Sequence, residues 1–217
     1  MTDDRWLSEL HWRRESQQSR SEKTQTALLD SAEEMIVERG IDATSITDVA
    51  AAAGYSVGAV YHHFKDKRAL FYAVFHRWTQ TLSDLNAQAS NAELWEDASV
   101  LELLAGYIDF MHRVREEAAT SKAAAALVVA DNPELRQHIA EITRDGHRAL
   151  HKLIMAKRDQ IGHENPDWAV AFIIDQIGVM QHARVDPAQK VIAISGTDDA
   201  TFREETLKIA RNFLKLK

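Results

Sequence analysis

Several groups of side chains in this 217-residue sequence stand where they could do chemistry. His147-x-x-x-His151 puts two imidazoles on one helical face, a spacing that a divalent metal could use. No carboxylate completes that set locally, so polar histidines on a solvated face account for the pair more simply. Ser56-Val57-Gly58-Ala59-Val60-Tyr61-His62-His63 opens with small residues and ends with hydrogen-bonding rings. That order suits contact with nucleic acid better than bond breaking. Trp78, Tyr107, Phe110 and Met111, with His147, could line a pocket for a small effector, although such residues more often fill a core. Asp109, His112 and Asp175 could orient a polar ligand, though a solvated edge explains them as well. The chain has no cysteine, which excludes thiol catalysis, a disulfide scaffold and Cys-ligated zinc or iron–sulfur sites. No catalytic set, cofactor motif or complete metal site emerges, and none is expected.

The elements that must carry these residues are helices. Gly and Pro are few while Ala, Leu, Glu, Arg and Gln abound, so the expected fold is all-α. No apolar run approaches the ~18–20 residues of a membrane span, and Met1-Thr2-Asp3-Asp4 is no signal peptide, so a soluble cytoplasmic protein is expected. Residues 1–19 read as an extension, with a polar tether at 13–20 whose arginines could also form an arm entering a minor groove. From Ser21 the stripe Leu28, Ala32, Met35, Ile36 marks a helix, with Gly40 as its stop. Ile46, Val49, Ala50 and Ala53 mark a second, short helix ended by Gly54. Ser56 can cap a third, with Val60 and Phe64 facing inward. Asp66 then caps a long fourth helix. Asn91 is expected to cap the segment that carries Leu94, Leu101, Leu104 and Ile108. Asn132-Pro133 and Asn165-Pro166 should open helices over 133–160 and 166–183. Residues 184–197 read as a loop, and a last helix starts near Thr197-Asp198-Asp199.

Two helices of about two turns joined by a tight glycine turn make a helix-turn-helix. Its first helix braces, and its second presents Val57, Gly58, Ala59, Tyr61, His62 and His63 to the major groove. Short apolar helix pairs also occur in purely structural bundles. What decides between the two is the linear motif. The run from Ala43 to Leu70, ATSITDVAAAAGYSVGAVYHHFKDKRAL, resembles the DNA-binding head of the TetR (tetracycline repressor-like) family, and so does the preceding Val37-Glu38-Arg39-Gly40. The likeness covers roughly residues 21–75. It implies phosphate-anchoring hydroxyls at Thr44 and Ser45 and a recognition-helix cap at Ser56. It also implies groove-facing roles for Val57, Gly58, Ala59, Tyr61 and His62, and phosphate contacts from His63 and Lys67. Val57 departs from the polar or basic residue of many members; it can touch a thymine methyl but cannot hydrogen-bond.

Net charge runs the other way. The chain carries −7, and residues 20–75 hold six Lys/Arg against eight Asp/Glu, a net −2. Most of these acids lie on the first helix, whereas Lys65, Lys67, Arg68, His62 and His63 cluster beside the reading edge. Placement outweighs the sum.

Phe202, Thr206, Ile209, Phe213 and Leu216 step along one seam of the last helix, and Leu207, Ala210 and Leu214 along another. Trp168 and Phe172 enrich the helix before it. Two such helices suit a four-helix dimer interface, or else the centre of a monomer. The expected chain therefore has an extension (1–19), a three-helix DNA-binding domain (20–75) and a helical domain (76–217) for effector binding and dimerisation. Its expected partners are a palindromic duplex, a second copy and a small-molecule effector, with repression released by ligand. The alternatives are a helical-bundle metal protein or enzyme using His147 and His151, and an architectural DNA-binding protein without an effector.

Overall fold

The computed structural model describes residues 20–130, 132–185 and 196–217, and among these the chain is helical. The helices are α1 (Arg20–Ala43), α2 (Ile46–Ala52), α3 (Val57–His63), α4 (Lys67–Ala89), α5 (Val100–Glu117), α6 (Ala119–Val129), α7 (Pro133–Met155), α8 (Pro166–Val185) and α9 (Asp199–Leu214). Single 3-10 turns occupy Ala92–Trp95 and Arg158–Gln160. The extension at 1–19 and residues 186–195 of the expected loop lie outside the described residues.

Among the described residues, one compact unit comprises 20–85 and 116–142, the other 86–115 and 143–217. This packing divides the chain differently from a boundary at residue 75. α6, distant in sequence, joins α1–α3 because Ala124 enters their core. That core is the stripe read from α1, Leu28, Ala32, Met35 and Ile36, closed by Val49, Val60, Leu70 and Val74 from the next three helices. Fully burying each aliphatic chain contributes about 1.5–3 kcal/mol, enough to hold helices of seven residues that would not persist alone. One charge is buried among them. Glu33 of α1 accepts from Arg77 of α4 (Nε, 2.9 Å) and from the Ser121 hydroxyl of α6 (2.6 Å), while Arg77 also reaches Asp30 (2.8 Å).

In the second unit, Leu103, Leu104 and Ile108 of α5, Ile154 of α7, Ile173, Ile174 and Ile177 of α8, and Ala210 and Leu214 of α9 form the core. The two seams of α9 do not divide cleanly, since Thr206 of the first is buried and its Phe213 and Leu216 pack against the core. Ala210 and Leu214 are buried in this chain's own core, whereas Ile209 is 54% exposed.

The capping residues explain where most helices begin. Asp66 accepts from Ala69 N at 2.7 Å, Asn132 from Leu135 N at 3.2 Å, and Asp198 from Thr201 N at 2.7 Å. Two expectations are corrected. Asn91 caps only the 3-10 turn, through Glu93 N at 3.2 Å. The helix of Leu101 and Ile108 starts afresh at Val100, where Ser99 and Glu102 hydrogen-bond reciprocally: Ser99 N to Glu102 at 2.8 Å, and Glu102 N to the Ser99 hydroxyl at 3.2 Å. The helix expected over 133–160 stops at Met155, and its last residues form the 3-10 turn. At Gly40 the backbone swings to φ 82°, a left-handed conformation that glycine adopts readily, and this breaks α1 where the sequence placed its stop.

Candidate nucleic-acid interface

The turn between α2 and α3 is built by backbone hydrogen bonds around Gly54. Gly54 N donates to Ala51 O at 3.1 Å and Tyr55 N to Ala50 O at 2.9 Å, with Gly54 at φ 75°. A left-handed glycine satisfying the last carbonyls is the usual helix stop. Ser56 then caps α3 by accepting from Ala59 N at 3.2 Å. Val60 and Phe64 are buried, which fixes the rotation of α3. Its opposite face carries exposed Val57, Gly58, Tyr61 and His62, with Ala59 and His63 partly exposed. Tyr61 is 54% exposed. The two histidine rings meet edge to face, with centroids 5.2 Å apart.

Gly58 needs no special backbone angle, and a Cβ there would approach nothing closer than Ser56 Oγ at 3.7 Å. Nothing inside the chain requires a glycine at this position. A bare helix front is therefore available to whatever approaches from outside.

The hydroxyls expected to anchor phosphates are differently employed. Thr44 is fully buried and donates to Gly40 O at 2.8 Å, so it braces the α1–α2 connection and presents no hydroxyl to solvent. Ser45 donates to Asp48 Oδ2 at 2.7 Å and accepts from Asp48 N at 3.1 Å, so its single proton is committed to the start of α2. Lys67 lies over Phe71, 5.4 Å from the ring centroid, and donates to Asp42 O at 3.2 Å. One of its three donors is thus spent on the entry to α2. Sequence reasoning passed over Tyr55 and Tyr72, both exposed in this unit. Their type was the available signal, since an aromatic off the apolar stripe presents a hydroxyl to solvent.

In the second unit, Tyr107 and His147 come together, Oη to Nε2 at 2.7 Å, and His147 Nδ1 lies 3.7 Å from Asp175. Burial drives the Tyr107 phenol well above its ordinary value, and the Asp175 charge adds to this. Burial lowers His147, against the opposing pull of Asp175. The phenol therefore keeps its proton, and the imidazole beside it resists taking one up. Gly178 makes room, since a Cβ there would sit 3.3 Å from Tyr107 Oη. Phe110 and Met111 lie on the same α5, Phe110 buried and Met111 partly so. Trp78 is buried within the first compact unit. Asp109 is held by Arg203 through two contacts, at 2.6 and 2.7 Å, and His112 by Arg115 and Asp199. Asp109 thus serves an ion pair with Arg203, and the His112 ring is engaged by its neighbours within the unit. His151 faces Asp167 instead of sharing a centre with His147, and among the described residues no group of three His, Cys, Asp or Glu could hold a metal.

Of the residues expected at a dimer interface, Trp168, Phe172 and Ile209 are exposed, while Phe213 is partly buried against the core of this unit. Trp168 stacks on Phe172 (5.1 Å between centroids), and Phe172 meets Phe213 at 5.4 Å, with His163 alongside at 5.3 Å from Phe213. Trp168 is 51% exposed, and Val179, farther along α8, is 63% exposed. Phe202 stands apart, under the Arg184 guanidinium at 4.4 Å.

Residues 28–74 match the model of the family described as bacterial regulatory proteins, tetR family. Among curated proteins, the HTH-type transcriptional repressor BepR of Brucella suis biovar 1 (strain 1330) is 31% identical over 80 residues, 37% of this chain and 38% of BepR. The HTH-type transcriptional regulator AcrR of Shigella flexneri is 33% identical over 68 residues, 31% of this chain and 32% of AcrR. The matching stretches span about a third of these relatives' own length. Likeness in fold reaches much further. A tetR-family bacterial regulatory protein from Rhodococcus RHA1 superposes with a TM-score of 0.64 at 18% identity, over 92% of this chain and 100% of its own. SmeT, the repressor of the Stenotrophomonas maltophilia multidrug efflux pump SmeDEF, superposes with 0.58 at 22% identity, over 88% and 91%.

Proposed function

We propose that this chain, whose residues 28–74 match the model of the tetR family of bacterial regulatory proteins, is a DNA-binding transcriptional regulator. The observation that carries the reading is the outward face of α3. Its small residues Val57, Gly58 and Ala59 stand at the front of a capped helix with exposed Tyr61 and His62 behind them, and nothing inside the chain calls for a glycine at position 58. Val57, Gly58, Ala59, Tyr61 and His62 meet the major groove, and His63 and Lys67 meet phosphates. Ser45 and Ser56 set the starts of α2 and α3, and Thr44 braces them from within.

The regulator works as a homodimer in the cytoplasm, by binding and without catalysis. Trp168, Phe172, Phe213 and Ile209 contribute to the interface, with Phe202 at its margin. Two heads occupy successive major grooves about 34–36 Å apart, so the operator is a near-palindrome. A small-molecule effector that prefers the dimer geometry unfit for DNA shifts the population off the operator. Tyr107 and His147, with Phe110 and Met111 on the same helix as Tyr107, supply its polar and apolar contacts. BepR and SmeT are both named as repressors, which supports repression released by ligand. The test is selection of duplexes from fragmented genomic DNA by the purified chain, followed by light scattering of the complex. A near-palindromic consensus bound by two copies is expected. A chain that enriches no sequence would overturn the reading.

A further inference from the structure

We propose that Arg68 and Tyr72 form a preset clamp for a backbone phosphate, flanking the edge that α2 and α3 present; the proposal rests on the reading of this unit as DNA-binding. Arg68 donates to Tyr72 Oη twice, from Nε at 2.9 Å and from Nη2 at 2.7 Å, and its guanidinium lies 5.1 Å from the ring centroid. Both residues are exposed, one helical turn apart on α4. An exposed arginine ordinarily spreads over many rotamers, and ordering it costs entropy when it binds. Here two hydrogen bonds and a stacked ring hold one arrangement in advance.

Of the five N–H donors on the guanidinium, the phenol oxygen takes two and three remain. Among the described residues, no carboxylate forms an ion pair with Arg68. The adjacent carboxylate, Asp66, is engaged in capping α4 through Ala69 N. A fixed fork of donors whose positive charge is in no close ion pair fits an oxyanion, and phosphate is the oxyanion that duplex DNA supplies.

The position also fits. Lys67, the preceding residue, reaches Asp42 O at the entry to α2, and Phe64, four residues before Arg68, is the buried cap that ends α3. The first turn of α4 therefore borders both the end of α1, just ahead of α2, and the end of α3. Lys65, Lys67 and Arg68 concentrate three cations within four residues of an otherwise acidic segment. Within this clamp, Arg68 touches the phosphate and Tyr72 is a positioning residue.

The test titrates the full chain into labelled duplexes that the wild-type protein has recovered from a random pool, across a salt series. Arg68→Ala is expected to bind about tenfold more weakly, the worth of a hydrogen bond to a charged group. It should also flatten the slope of log affinity against log salt by about 0.9, the signature of one phosphate lost. Tyr72→Phe should keep the slope and weaken binding about threefold, yet add nothing on top of Arg68→Ala. Arg68→Lys should keep the slope and lose the dependence on Tyr72. Unfolding midpoints of all variants should stay near wild type, because both side chains are exposed. An unchanged slope for Arg68→Ala, in a wild type that does bind DNA, overturns the clamp alone. A wild type that recovers no duplex overturns the DNA reading and the clamp with it. Equal losses from Tyr72→Phe in both backgrounds overturn the positioning role.

Discussion

Gly58 separates fold from function more cleanly than any other side chain here. It sits in a regular helix, where glycine is less favourable than alanine by about 0.8–1 kcal/mol. A methyl there would meet only ordinary contacts. Gly58→Ala should therefore raise stability by roughly 0.5–1 kcal/mol, read as a higher urea midpoint, while weakening DNA binding by holding the helix off the base edges. A variant that is more stable and binds equally well would show that the bare helix front is incidental. His147 yields the second residue-scale prediction. Its folded-state value is lowered by burial, so the unfolded chain takes up the imidazole proton first as pH falls. Stability contributed by the neutral ring is present at higher pH. It is lost as pH drops below the ordinary histidine value near 6.5, with a slope of at most about 1.4 kcal/mol per pH unit. His147→Gln, which can still accept from Tyr107, should make urea midpoints measured between about pH 7 and 5 less steep than wild type. Parallel profiles would mean that the Tyr107–His147 pair does not resist protonation.

Among the elements, α6 is the one whose place follows least from chain order. It is held to α1 by Ala124 in the core and by the Ser121 hydroxyl on buried Glu33, with Arg77 of α4 supplying the opposite charge. Truncating one partner of a buried ion pair strands the other, at a cost of about 3–5 kcal/mol. Arg77→Met should destabilise by that amount in chemical unfolding. Arg39→Met, which removes the exposed pair with Glu38, should stay within about 0.5 kcal/mol. Similar small losses from both would show that Glu33 is not a true buried charge. Most of the local signals were readable one by one: caps at Ser56, Asp66, Asn132 and Asp198, and stops at Gly40 and Gly54. Asn91 misled because an Asn cap supports a single 3-10 turn as readily as a long helix, and only the Ser99–Glu102 pair distinguishes the true start of α5.

At the scale of the molecule, the exposed side of α8 is the most consequential surface. Trp168, Phe172 and Val179 lie along it while Ile173, Ile174 and Ile177 fill the core behind. Val179 contributes little to the fold of one chain, so Val179→Glu should leave helix content unchanged by circular dichroism. Placed in an apolar interface it would be an unpaired charge costing several kcal/mol. The expected outcome is a halved mass by light scattering and loss of operator binding. A dimer of unchanged mass would move the interface off this face of α8.

What the sequence by itself determined was local and linear. The periods of apolar residues, the caps and glycine stops, and the α2–turn–α3 motif are all written within windows of a few turns, where helical geometry alone relates the side chains. It also indicated the outward face of α3, because burying Val60 and Phe64 leaves that helix only one orientation. Tertiary structure decided everything that depends on which residues meet across long separations. It took Thr44 out of solvent and committed its hydroxyl to Gly40. It turned the Ala210–Leu214 seam of α9 inward and left Ile209 outside, a choice that two equally apolar stripes could not express. It joined Tyr107 to His147 and set Ser121 on Glu33. Spacing along one helix fixes which residues share a face, but the partner for that face is selected by the burial of all the others together.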